Sequence, residues 1–136
     1  MILITDIGKD IDDAVALTYG IIAGIPIKKV IVTSKNTTES ANICRNIVEN
    51  LQDKFPAAND IDILLGSSKP LKDGIIHDNF YHGPFAKGYN QFEILDPATC
   101  RGDALAICPM TDLWRLVENG NVPRIIFMGQ ALKKGD

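Results

Sequence analysis

The segment Ile2-Leu3-Ile4-Thr5-Asp6-Ile7-Gly8-Lys9-Asp10-Ile11-Asp12-Asp13-Ala14-Val15-Ala16-Leu17 decides the fold. Its apolar run Ile2-Leu3-Ile4 has the length of a buried strand, and Ala14-Val15-Ala16-Leu17 reads as the first turns of a helix. Between the two lie Asp6, Asp10, Asp12 and Asp13. A strand that passes through a short polar loop into a helix is the repeating unit of an α/β sheet, and such loops gather at the carboxyl ends of the strands.

The alternation continues along the chain. A helix is predicted over residues 12–23, ended by Gly24 and Pro26, and a strand over Val30 to Thr33. Thr38 to Phe55 carries Ala41, Cys44, Ile47, Val48 and Leu51 at helical spacing. Ile61 to Leu65 is a third strand and Ala104 to Cys108 a fourth. Met110 to Glu118 is a third helix, and Arg124 to Met128 a fifth strand. This order predicts an α/β fold with a mostly parallel, Rossmann-like sheet, right-handed crossovers and a single domain over residues 1–136. Between Ser67 and Asp103 the chain is rich in Gly, Pro, Asn and aromatic residues and longer than a structural connector needs. It reads either as a lid or substrate loop, or as a surface excursion packed down by Phe80, Tyr81, Phe85, Tyr89 and Phe92.

Composition narrows the function. With 136 residues, 46% of them hydrophobic, the chain can bury one modest core. A net charge of −3 and a pI near 5.3 argue against a nucleic-acid partner, which needs clustered positive charge. The basic pairs Lys28-Lys29 and Lys133-Lys134 read as solvated ends of elements. No apolar run reaches the ~20 residues of a membrane helix, so no membrane partner is expected. The N-terminus lacks a signal-peptide pattern, and a cytoplasmic location is expected. Cys44, Cys100 and Cys108 show no Cys-x-x-Cys spacing, so neither a zinc site nor a disulfide framework is indicated; Cys44, on a helical face, reads as a small core residue.

Four carboxylates in one loop repel unless a positive group sits among them, and a hard divalent cation with oxygen ligands, calcium or magnesium, is the usual answer. Helix capping is the plainer alternative, with Asp12 as N-cap and Asp13 in the first turn. It leaves Asp6 and Asp10 unexplained. A phosphotransferase reading of Asp10-Ile11-Asp12 is weaker, because Asp6 is the residue at the strand end and no Gly-x-x-x-x-Gly-Lys-Ser/Thr loop follows.

With its flanks, Asp6-Ile7-Gly8-Lys9-Asp10-Ile11-Asp12-Asp13-Ala14 resembles the N-terminal signature of the inosine-uridine preferring nucleoside hydrolase family, Asp-x-Pro-Gly-x-Asp-Asp-Ala. It departs from it by two extra residues and by Ile7 in place of the frequent Pro. Further resemblances follow in order. Ser34-Lys35-Asn36-Thr37 matches a Gly-Asn loop, and Ile61 to Leu71 a strand, Gly and Pro-Leu segment. Tyr81-His82-Gly83 with Gly88 matches a His-Gly-x-x-Gly loop. Cys108-Pro109-Met110-Thr111-Asp112-Leu113 is similar to Gly-Pro-Leu-Thr-Asn-Leu, and Phe127-Met128-Gly129 to Met-Gly-Gly. The helix those relatives carry before the strand matching Ala104 to Cys108 has no counterpart in Leu95 to Gly102.

The resemblance implies a calcium-dependent enzyme that hydrolyses the N-glycosidic bond of a ribonucleoside, and a capacity to form homo-oligomers. It makes Asp6 a calcium ligand and the base for the attacking water, Asp13 a second ligand, and the backbone carbonyl of Ile107 a third. Asp12 would bind a ribose hydroxyl; Asn36 (or Thr37, by strict count) and His82 would lie near the sugar. Asp10 has no clear counterpart and is either a further ligand or a turn residue; His77 reads as a surface residue. The match spans about the first half of the family's usual length, so the alternative is a non-catalytic or fragmentary relative that binds metal and a ribosyl ligand, completed by another chain or by a C-terminal half.

Overall fold

The computed structural model describes residues 1–8, 10–69, 86–88 and 91–128. Strand β1 (Ile2–Thr5) leads into helix α1 (Asp12–Ile22), then β2 (Lys29–Val32), α2 (Thr37–Leu51) and β3 (Asp62–Leu65). After these come β4 (Glu93–Ile94), β5 (Ala104–Ala106), α3 (Thr111–Glu118) and β6 (Ile125–Phe127). Among the described residues the strands form one six-stranded sheet in the order β4-β3-β2-β1-β5-β6, with every pair parallel.

Burial on both faces explains the continuous apolar strands. On one face, Leu3, Val30, Val32 and Ile63 pack with Leu17 and Ile21 of α1 and Cys44 and Val48 of α2. On the other, Ile2, Ile4, Ile31, Leu64, Ala104 and Ala106 pack with Leu113 and Leu116 of α3. The period-two alternation of β1 thus feeds two cores, and helices cover both faces. Among the described residues, no helix is long and apolar enough to cross a membrane.

The helix ends follow local chemistry. Gly24, at φ +74°, closes α1, with Gly24 N–H donating to Ile21 O at 3.1 Å and Ile25 N–H to Gly20 O at 2.9 Å. This is a Schellman arrangement, and it needs the left-handed backbone that glycine adopts without a Cβ penalty. The second helix stops at Leu51, short of the predicted Phe55. Proline 56 disfavours helical backbone in the residue before it, and Phe55 is extended at φ −127°, ψ 105° before a 3-10 turn over Pro56–Ala58. Strand β4 was not predicted from the sequence: two exposed residues have no period to read, yet they pair with Leu64 and Leu65.

Candidate functional site

The strand order reverses between β1 and β5. From β1 the chain moves outward to β2 and β3, and from β5 it moves the opposite way to β6. Ligands of open α/β sheets bind outside the carboxyl ends of the strands at such a switch point. Asp6 directly follows β1 there, and Ile107 N–H donates to Ile4 O at 3.0 Å, so the chain leaving β5 runs beside the start of the acidic loop.

The loop is folded back on its own strand. Thr5 Oγ1 accepts from Ile7 N–H at 3.1 Å and donates to Asp13 Oδ2 at 2.9 Å, so one hydroxyl joins the strand end to the second residue of α1. The Ile7 side chain is fully buried and pins the turn, and Ser40 Oγ of α2 donates to Ile7 O at 2.7 Å. Ser34 Oγ lies 2.8 Å from Ser40 Oγ.

These contacts bring Asp6 and Asp13 together. Asp13 is 7% exposed, and its carboxyl is pushed up to about 7. Burial is the largest cause, the hydrogen bond with the Asp6 carboxyl the next, and the negative charges of Asp6 and Asp12 add to it; the Thr5 hydroxyl opposes the shift. Burial and the negative charges around it therefore keep a proton on Asp13 near neutral pH. Asp10 and Asp12 are exposed. Asp12 does not cap α1: Ile11 holds the N-cap position with no side-chain cap bond, and Asp12 is the first helical residue.

A second acid sits beside the pair. Asp112, in the first turn of α3, is completely buried. Its Oδ2 accepts from Thr33 Oγ1 at 2.5 Å and from Ser67 N–H at 2.8 Å, and its Oδ1 from Ser67 Oγ at 2.8 Å and Arg115 Nη1 at 3.1 Å. Every neighbour of this carboxylate is a donor. The Cys108 thiol is pushed up by burial first and then by the negative charges of Asp6, Asp13 and Asp112, while a hydrogen bond with Thr33 opposes them. The loops after β1, β2, β3 and β5 thus converge on one polar patch.

Asn36 is the N-cap of α2, its Oδ1 accepting from Glu39 N–H at 3.2 Å. That cap is work the sequence reading did not assign to it. His82, with His77, Tyr81 and Gly83, lies outside the described residues. Thr5, Thr33, Ser67, Cys108, Asp112 and Arg115 were missed as site residues. Asp112 alone carried a signal, as an acid where the resembled motif has Asn.

Calcium takes six to eight oxygen ligands. Asp6 and Asp13 are two hard oxygen donors near one another, and a divalent cation bound there would displace the proton of Asp13. Among the described residues, no three or more His, Cys, Asp or Glu side chains are placed to hold one ion. Comparison of the chain with models of protein families, with characterised proteins and with solved structures finds no match.

Proposed function

We propose that the carboxyl edge of this sheet binds a divalent cation together with a ribosyl ligand, and that the chain acts in the manner of a calcium-dependent nucleoside hydrolase. The observation that carries the reading is buried Asp13 at the switch point, close to the Asp6 carboxylate and pushed up to about 7. Such a pair is costly to keep in a fold for packing alone.

In this reading Asp6, Asp13 and the Ile107 carbonyl would hold the cation, with water or ligand oxygens completing its shell. Calcium would supply charge to orient a water and ease its deprotonation. Asp6 would take the proton of a water attacking the anomeric carbon, while the electron pair of the broken bond leaves with the base, which takes up a proton from solvent. The sugar then carries oxocarbenium character, which the surrounding carboxylates stabilise. Asp12, exposed at the start of α1, accepts a hydrogen bond from a ribose hydroxyl, and Asn36 stands at the same edge of the sheet. A non-catalytic domain that binds the same cation and ligand is the second reading. It is favoured by the two-carboxylate limit of the described donor set.

Calorimetric titration with calcium tests what both readings share: wild type should bind, and Asp6→Ala and Asp13→Asn should each bind at least about tenfold more weakly. Equal binding by wild type and Asp6→Ala would remove the metal from the account. Release of free ribose from a panel of ribonucleosides with calcium separates the two readings, since the non-catalytic one expects binding without release.

A further inference from the structure

Strand β1 ends on a residue that its apolar pattern does not require. Ile2, Leu3 and Ile4 are buried hydrocarbon; Thr5, the fourth residue, is 1% exposed and carries a hydroxyl. Valine has nearly the same shape and would suit a site paired with Val32 of β2. A buried hydroxyl is tolerated when its bonds are made. Thr5 Oγ1 makes two, donating to Asp13 Oδ2 at 2.9 Å and accepting from Ile7 N–H at 3.1 Å. The backbone beneath it is locked as well, with Thr5 O accepting from Thr33 N–H at 2.8 Å. Branching at Cβ restricts χ1, so the sheet presents this hydroxyl in a fixed direction.

The two acids reach the site from different elements. Asp6 follows Thr5 directly and takes its position from the strand. Asp13 is the second residue of α1, a helix whose start has no side-chain cap and follows exposed Asp10 and Ile11. The bond from Thr5 to Asp13 spans eight positions and ties that helix start to the residue beside Asp6. On the cation-binding reading above, we propose that Thr5 is a positioning residue for the cation: its hydroxyl holds Oδ2 of Asp13, sets the plane of the carboxyl group and leaves Oδ1 to face the metal. A hydroxyl bonded to a carboxylate in this way orients a ligand without entering the coordination shell. Valine at this position would free the Asp13 carboxyl to rotate and would leave the Ile7 N–H without its acceptor.

Calorimetric titration of the purified chain with calcium is the test, with urea unfolding of each variant reporting folding alone. Thr5→Val should bind calcium about 10- to 100-fold more weakly than wild type, the range for losing a group that orients a ligand. Thr5→Ser keeps the hydroxyl and should stay within about threefold of wild type. Asn121→Ala serves as the control: its amide holds Pro97 O at 2.9 Å and Ala98 O at 3.0 Å, before the amino ends of β5 and β6. Its loss should lower the urea midpoint and leave calcium affinity unchanged. Should Thr5→Val fail to fold, Thr5→Cys takes its place; a thiol is a weak donor, and affinity should fall severalfold. A folded Thr5→Val or Thr5→Cys with wild-type affinity would overturn the proposal. So would a Thr5→Ser as weak as Thr5→Val, or an equal loss in Asn121→Ala. A wild type that binds no calcium would instead remove the cation-binding reading itself, and the role of Thr5 with it.

Discussion

Asp112→Asn is the most informative single substitution. Both carboxylate oxygens of Asp112 face donors only: Thr33 Oγ1 and Ser67 N–H on Oδ2, Ser67 Oγ and Arg115 Nη1 on Oδ1. An amide placed in either orientation sets its NH₂ against two of them. One side keeps its hydrogen bonds; the other becomes a buried clash of donors, and Arg115 loses its ionic partner at 3.1 Å. Arg115 is part-exposed, so its share is small, below ~1 kcal/mol. Two buried donors left without an acceptor cost about 1 to 3 kcal/mol each, with partial relief when the Ser67 hydroxyl rotates. The expected loss is about 2 to 3 kcal/mol for Asp112→Asn and about 4 kcal/mol for Asp112→Ala, which removes the whole acceptor from a buried charged network. Against the roughly 7 to 20 kcal/mol available to a chain of this length, both variants should still fold. Urea unfolding followed by fluorescence of Trp114, two residues away on α3 and the single tryptophan of the chain, gives the readout. With a slope of about 2 kcal/mol per molar, Asp112→Asn should lower the midpoint by about 1 M or more. A midpoint within about 0.2 M of wild type, at unchanged slope, would refute the claim that this carboxylate bonds the three loops together.

Asp13 should make stability fall as the pH rises. Its folded-state carboxyl titrates near 7, against 3.8 ordinarily, so the folded state holds more protons over that window; the stabilisation is complete below about 4 and lost as pH passes 7. Asp13→Asn should therefore flatten the difference curve in urea midpoints between pH 4 and 8 and gain stability at pH 8, by an amount of order 2 to 4 kcal/mol; a gain at pH 4 instead would reverse the argument. Gly66→Ala should cost more than about 2 kcal/mol, because a Cβ there would overlap Asp112 Oδ2 and sit 2.8 Å from Val32 O. Asn36→Ala should lose about 1 kcal/mol in a thermal melt, because it removes the Oδ1 acceptor of Glu39 N–H.

The fold was legible because its signals are local. The run Ile2-Leu3-Ile4, the helical spacing of Ala41, Cys44 and Val48, and Gly24 each act over a few residues, and the structure places each as its chemistry requires. The acidic loop was legible as a cluster, and the structure brings Asp6 and Asp13 together while leaving Asp10 and Asp12 exposed. What escaped was the work of partners remote in sequence. Asp112 meets Thr33 across 79 positions and Ser67 across 45, and no local pattern encodes such a meeting. Ile7 departs from the resembled motif in a way the core explains: a fully buried aliphatic side chain can anchor the turn. Asn36, read as a ligand residue, also caps a helix, and a short amide side chain suits both.

The small bond from Ile7 N–H to Thr5 Oγ1 has a kinetic consequence. Amide hydrogens exchange with solvent only when their bonds open, so the Ile7 amide should exchange as slowly as those of β1, while the amides of exposed Asp10 and Ile11 exchange freely. The acidic loop then has two parts moving on separate clocks. Its exposed tip should tolerate replacement while Thr5 keeps its bonds to Ile7 and Asp13.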